Sequence, residues 1–140
     1  MITYAIDDVS MVAKKLKQKL KDCQVITFTG PLGAGKTTLI KELLKQCGVQ
    51  ENVTSPTFTY MNQYENVCGE MFYHFDLYRI ENINQFLEAG FDEYLYQPNS
   101  WVLIEWPQSI LALLNKNVCH IEIDYDHDQT KRTLTITCKK

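Results

Sequence analysis

Gly30-Pro31-Leu32-Gly33-Ala34-Gly35-Lys36-Thr37 is the stretch on which the reading of this chain turns. It fits G-x-x-x-x-G-K-[ST], the phosphate-binding P-loop pattern. The run before it, Val25-Ile26-Thr27-Phe28-Thr29, is apolar and β-branched, as a buried strand requires. The run after it, from Thr38 through Leu39, Ile40, Leu43 and Leu44 to Cys47, reads as a helix that stops at Gly48. Strand, glycine loop and helix in this order build a concavity of backbone N–H groups at a helix N-terminus, which favours anions. In such a loop Gly30, Gly33, Ala34, Gly35 and Thr38 supply backbone to the phosphates. Lys36 reaches the β- and γ-phosphates, and the Thr37 hydroxyl ligates Mg²⁺. A glycine turn before a helix can arise by chance, but the two flanking elements weigh against that here.

The composition sets the frame. A chain of 140 residues, 45% of them hydrophobic, is the size of one domain with a real core, so residues 1–140 are read as a single P-loop ATPase domain. No apolar run is long enough to span a bilayer, and the first residues carry no signal-peptide pattern. The five cysteines (Cys23, Cys47, Cys68, Cys119, Cys138) are odd in number and scattered, with no C-x-x-C. That argues against a disulfide framework or a zinc site and for a reducing, cytoplasmic setting. The net charge is −3, which argues against a protein that grips nucleic acid unaided. Lys14, Lys15, Lys17, Lys19 and Lys21 share a helix with the apolar stripe Val9, Val12, Leu16 and Leu20, so they read first as its solvated face.

Along the rest of the chain, Ile2 to Ile6 reads as a strand, and Asp7, Asp8 or Ser10 as the cap of a helix ending near Asp22. Pro56 marks Thr54-Ser55-Pro56-Thr57 as a loop leading into a strand around Phe58 to Asn62. Met71 to Tyr78 reads as a strand, Ile83 to Ala89 as a helix stopped by Gly90, and Phe91 to Tyr96 as a second short helix. Trp101-Val102-Leu103-Ile104 has the uninterrupted apolar character of a central parallel strand, with Pro107 to Leu114 a helix after it. Ile121, Ile123 and Tyr125 alternate against Leu134, Ile136 and Cys138 as an antiparallel hairpin. The expected fold is α/β, a P-loop NTPase: a mostly parallel central sheet flanked by helices, with antiparallel edge strands and a C-terminal hairpin.

Ligands in such sheets sit at the carboxyl ends of strands, where Gly30, Asp76 and Glu105 all fall. The metal of a P-loop needs an acidic anchor after an apolar strand. Glu105 fits that place and Asp76 is the other candidate. One supports Mg²⁺ or its waters and the other orients the attacking water, so Lys36, Asp76 and Glu105 form the catalytic set and Thr37, Asp76 and Glu105 the metal set. His74 reads first as a hydrogen-bonded structural histidine, and Trp106 equally as a stacking or a packed aromatic. Asn115-Lys116-Asn117-Val118 has Val118 where the guanine-reading N-K-x-D motif needs its Asp, so adenine is the expected base.

Gly30 to Thr38, Thr54-Ser55-Pro56-Thr57-Phe58, His74-Phe75-Asp76-Leu77-Tyr78-Arg79 and Leu103-Ile104-Glu105-Trp106-Pro107-Gln108 stand in this order. Together they closely resemble the bacterial TsaE (YjeE) family, over nearly the whole chain. That resemblance implies a weak Mg²⁺-dependent ATPase needed to make threonylcarbamoyladenosine at position 37 of tRNA. It also implies association with the TsaD and TsaB subunits of the modifying complex, with tRNA met only indirectly. Thr37 is implied as the metal's hydroxyl ligand, Asp76 and Glu105 as the acids at metal and water, and Thr54 to Thr57 as a switch-like loop. Arg132 is offered for an adenine contact and Asp8, near the first helix start, for another. The competing reading is a small-molecule P-loop kinase. Such kinases need several arginines around the transferred group, and this chain has only Arg79 and Arg132.

Overall fold

A computed structural model describes residues 1–140. The strands are β1 (Ile2–Ala5), β2 (Val25–Thr29), β3 (Met61–Glu65), β4 (Met71–Asp76), β5 (Ser100–Glu105), β6 (Val118–Tyr125) and β7 (Lys131–Lys139). The α-helices are α1 (Val9–Lys19), α2 (Lys36–Gln46) and α3 (Ile83–Glu88). All strands join one sheet in the order β1-β7-β6-β2-β5-β4-β3. The central pairs β6–β2, β2–β5 and β5–β4 are parallel, and the outer pairs β1–β7, β7–β6 and β4–β3 are antiparallel. The expected mixed α/β architecture, C-terminal hairpin included, is the one observed.

The alternation of side chains along a strand explains the layering. Ile26 and Phe28 of β2, Leu103 of β5 and Ile121 and Ile123 of β6 face α1 and α2, where Val12, Ala13, Leu16, Leu39, Ile40, Leu43 and Leu44 meet them. The intervening Val25, Val102, Ile104 and Val118 face the other way, onto Phe86 of α3, Ile110 and Leu114. The lysines of α1 are exposed, as the stripe required.

Three local readings shift. The strand placed at Phe58 to Asn62 begins at Met61, because Thr57 to Thr59 form a turn and Tyr60 takes a left-handed backbone (φ 66°). The helices placed at Phe91 to Tyr96 and Pro107 to Leu114 are 3₁₀ turns, Phe91–Tyr94 and Gln108–Leu113. The reading of the cysteines as scattered also needs correction. The fold carries Cys23, Cys119 and Cys138 into one cluster, with the Cys119 sulfur against both of the others. Cross-strand pairing brings Cys138 opposite Cys119, a proximity that sequence spacing hides.

Candidate functional site

Strand register builds the site. Glu105 lies beside Phe28 on one side and Asp76 on the other, so β2, β5 and β4 end at one level. Beyond β2 the chain enters the glycine loop. Gly30 sits at φ 148°, and a β-carbon there would run into the Ile123 carbonyl of β6. Only glycine lets the loop pass that close to the sheet. Gly35 takes φ 102° as the residue before α2, which aims the first N–H groups of the helix at the loop's concavity.

Gly33, Gly35, Lys36, Thr37, Thr38, Asp76 and Glu105 line one cavity of about 420 Å³, together with Ser55, Thr57, Tyr78, Arg79 and Trp106. Lys36 Nζ donates to the carbonyls of Gly30 (2.6 Å) and Pro31 (3.0 Å) and lies 4.1 Å from the centre of the Trp106 ring. Burial lowers its pKa, while Glu105 and Asp76 pull the other way. Trp106 reaches this place because its backbone is left-handed (φ 58°), a conformation an aromatic residue adopts only where its surroundings hold it.

The two acids are held differently. Glu105, only 3% exposed, accepts from the Thr37 hydroxyl on Oε1 (2.9 Å) and from His74 Nε2 on Oε2 (2.7 Å). The His74 ring is fully buried and its Nδ1 has no hydrogen-bond partner. Nε2 carries the proton donated to the carboxylate. Asp76 accepts from Ser55 Oγ on Oδ2 (3.1 Å) and from the Tyr78 backbone N–H on Oδ1 (3.1 Å). The Thr54–Thr57 loop is thereby tied to an acid of the cavity. A hydroxyl and two carboxylates within one cavity form the hard oxygen donor set that suits Mg²⁺.

The remaining expected residues lie outside the cavity lining. Gly30 and Ala34 shape the loop behind it. Arg132 is buried beneath the loop, where its Nε donates to the Ala34 carbonyl (3.1 Å), its Nη1 to the carbonyls of Gln129 and Lys131, and its guanidinium stacks 4.2 Å from the Tyr125 ring. The Nε donor braces the glycine loop, and the Nη1 donors tie the guanidinium to the turn between β6 and β7. Asp8 is exposed at the start of α1, with no capping hydrogen bond from its side chain. The Asn115–Val118 stretch leads into β6, whose first residue is Val118, at the amino end of the parallel strands and away from the glycine loop, and the Asn117 carbonyl accepts from Gln24 and Val25. The sequence left His74 as a structural histidine. Its hydrogen bond to Glu105 follows from the register pairing β4 with β5, which no local pattern encodes.

A sheet whose parallel centre ends in a glycine loop, a helix N-terminus and two strand-end acids defines the P-loop NTPase class. Comparison with known proteins narrows it. Residues 4–134 match the family described as "Threonylcarbamoyl adenosine biosynthesis protein TsaE". The chain is 37% identical over 132 residues to the tRNA threonylcarbamoyladenosine biosynthesis protein TsaE of Haemophilus influenzae, covering 89% of this chain and 82% of that protein. It is 34% identical over 131 residues to that of Rickettsia felis, covering 93% and 74%. The crystal structure of Bacillus subtilis YdiB superposes with a TM-score of 0.75 at 28% identity, covering 99% of this chain and 86% of that one. The chain belongs to the TsaE family.

Proposed function

We propose that this protein binds ATP with Mg²⁺ at the cavity above β2, β4 and β5, hydrolyses it slowly, and acts as an accessory ATPase in making threonylcarbamoyladenosine on tRNA. The observation that carries the reading is the convergence of Lys36, Thr37, Glu105 and Asp76 in one cavity at the end of the glycine loop. Lys36 would exchange its two carbonyl partners for phosphate oxygens. Thr37 and the two carboxylates would hold Mg²⁺, which when bound neutralises phosphate charge. Glu105 is fixed by two hydrogen bonds, and such fixing suits a group that orients a water. Trp106 covers the Lys36 side of the cavity and limits access of bulk water.

Ser55 and Asp76 give the bound nucleotide a route to the surface. Any change in the hydrogen bonding of Asp76 is felt by Ser55, and through it by the Thr54–Thr57 loop. Beside that loop Phe58 is 79% exposed, with Arg79 stacked 4.9 Å from its ring. We assign this rim to nucleotide-dependent docking on TsaD and TsaB in the cytoplasm, with tRNA held by those partners. A kinase reading is weaker, because Arg132 is committed to the glycine loop and leaves Arg79 alone at the cavity.

The decisive experiment is an ATP titration of the wild type and of Lys36→Ala, followed by a pull-down with TsaD and TsaB in ATP, ADP and no nucleotide. Loss of a charge-assisted phosphate contact should weaken binding by about 2 kcal/mol, roughly thirtyfold. Equal affinity in the variant removes the nucleotide assignment. Equal recovery of the partners in all three conditions removes the docking role.

A further inference from the structure

At the end of the sheet opposite the glycine loop, three cysteines from separate segments meet. Cys23 lies in the connection between α1 and β2, Cys119 is the second residue of β6, and Cys138 is its cross-strand partner on β7. The Cα atoms of Cys23 and Cys119 are 6.1 Å apart and those of Cys119 and Cys138 are 4.0 Å apart. All three sulfurs lie within 4.8 Å of one another, and no carboxylate or imidazole joins the group. Cys23 and Cys119 are 2% and 1% exposed, while Cys138 is open to solvent.

The central sulfur decides the reading. Cys119 sits against both neighbours, yet one sulfur makes only one disulfide, so no covalent pairing satisfies the trio. A single cation does. Metal–thiolate bonds of about 2.3 Å hold three sulfurs roughly 4 Å apart around one ion, so the Cys119 sulfur must draw back from both neighbours to admit it, within a cluster no wider than 4.8 Å. An all-sulfur donor set selects soft or borderline d¹⁰ ions over hard ones. Lys21 and Lys140 line a cavity of about 570 Å³ that also reaches Cys23. Their charge favours thiolates over thiols, and the cavity, with the exposed Cys138, gives an ion a way in.

We propose that Cys23, Cys119 and Cys138 form a binding site for one thiophilic d¹⁰ cation, Cu⁺ or Zn²⁺. Binding releases three thiol protons to solvent and forms three metal–sulfur bonds, with no change of oxidation state. Cu⁺ is complete with three thiolates, whereas Zn²⁺ takes a water in the fourth position. The ion would tie the α1–β2 connection to β6 and β7. The site is independent of the nucleotide cavity.

The test is anaerobic titration of the reduced protein with Cu⁺ and, separately, Zn²⁺, each buffered by a chelator of known affinity. Wild type, Cys23→Ser, Cys119→Ser, Cys138→Ser and the double variant Cys47→Ser/Cys68→Ser are compared, with thermal unfolding of each as the check of folding. One equivalent should bind in the wild type and in the double variant. Each single variant of the cluster should lose more than the roughly 10–100-fold that removal of an outer-shell partner costs. Whichever ion binds tighter names the cation. Should Cys119→Ser fail to fold, the exposed Cys138→Ser carries the comparison. Sub-stoichiometric binding of both ions, affinities indifferent to the three substitutions, or a disulfide within the trio mapped in protein kept under reducing conditions would each overturn the site.

Discussion

His74→Ala should cost this protein far more than an average substitution. The Nε2–H of His74 is the only side-chain donor on Glu105 Oε2, and both groups are removed from water, at 0% and 4% side-chain exposure. Hydrogen bonds to charged groups contribute about 1.5–3 kcal/mol, and deleting one partner leaves the carboxylate desolvated without its donor. The imidazole also leaves a void, so a total of about 3 kcal/mol is expected. For a domain of this size that corresponds to a fall in Tm on the order of 10 °C, measurable by calorimetry. Geometry makes the prediction sharper. Gln can place an amide N–H near the position of Nε2, whereas the shorter Asn reaches only the position of Nδ1, which has no partner. His74→Gln should therefore recover part of the loss and His74→Asn should not. In a double-mutant cycle with Glu105→Gln, the two substitutions should couple by more than about 1 kcal/mol, because removing the carboxylate charge relieves the penalty left by His74. Additive effects, or equal Tm values for the Gln and Asn variants, would refute the claim that His74 holds Glu105.

Gly30→Ala should destabilise the fold by on the order of 3 kcal/mol in urea unfolding, from the unfavourable φ and the collision with the Ile123 carbonyl; a loss below about 1 kcal/mol would mean the loop moves freely off β6. Glu105→Gln should keep ATP affinity within a few-fold and lower turnover by about a hundredfold, since the amide fills the same space but cannot act as a base; full turnover would make Glu105 purely structural. His120, whose Nδ1 lies 2.7 Å from Thr27 Oγ1, has its pKa lowered by burial and then by Lys139. Its neutral state is the one that stabilises the fold. That contribution is complete above the unfolded value of about 6.5 and is lost as pH falls through the lower folded value. Urea midpoints at pH 7.5 and 5.5 should differ more for the wild type than for His120→Gln, and identical differences would remove His120 from the pH response. Burial pushes the Cys47 thiol up to about 11, so iodoacetamide at pH 8 should alkylate the exposed Cys68 and spare Cys47, as read by peptide mass.

The glycine-loop half of the fold is legible because its signals are local. The apolar β2, the glycines and the periodicity of α2 each occupy adjacent residues, and the apolar Trp101–Ile104 run fixed the place of Glu105 at a strand end. The errors fall where tertiary contacts override local pattern. Nothing in the composition of Phe58 to Asn62 announces the left-handed Tyr60 that delays β3. Pro107 to Leu114 opens with the proline that suits a first helical turn but closes only 3₁₀ turns. The duty of Arg132 under the glycine loop depends on β7 folding back beneath a loop 98 residues earlier. The cysteine cluster was hidden for the same reason, with partners 96 and 19 residues from Cys119.

The long-range contacts around the site share one arrangement. Thr37 is joined through Glu105 to His74, so the first turn of α2, the end of β5 and the middle of β4 move as one unit. Asp76 belongs to the same strand as His74, yet its second partner is Ser55 on an exposed loop. One acid is locked between a buried imidazole and a half-buried hydroxyl, and the other is shared with a surface segment. Both carboxylates are buried and doubly bonded, but Glu105 is held by a fully buried imidazole, whereas Asp76 has an exposed hydroxyl among its partners and can trade it at little cost, because water replaces it. Under the proposed function, the difference would give Glu105 fixed positioning and Asp76 signalling. It also separates the two experimentally. Ser55→Ala should leave Tm nearly unchanged and ATP affinity within a few-fold, while weakening the dependence of partner docking on nucleotide. If Ser55→Ala instead preserves that dependence in full, Asp76 does not speak to the surface through this loop, and the division of roles falls with it.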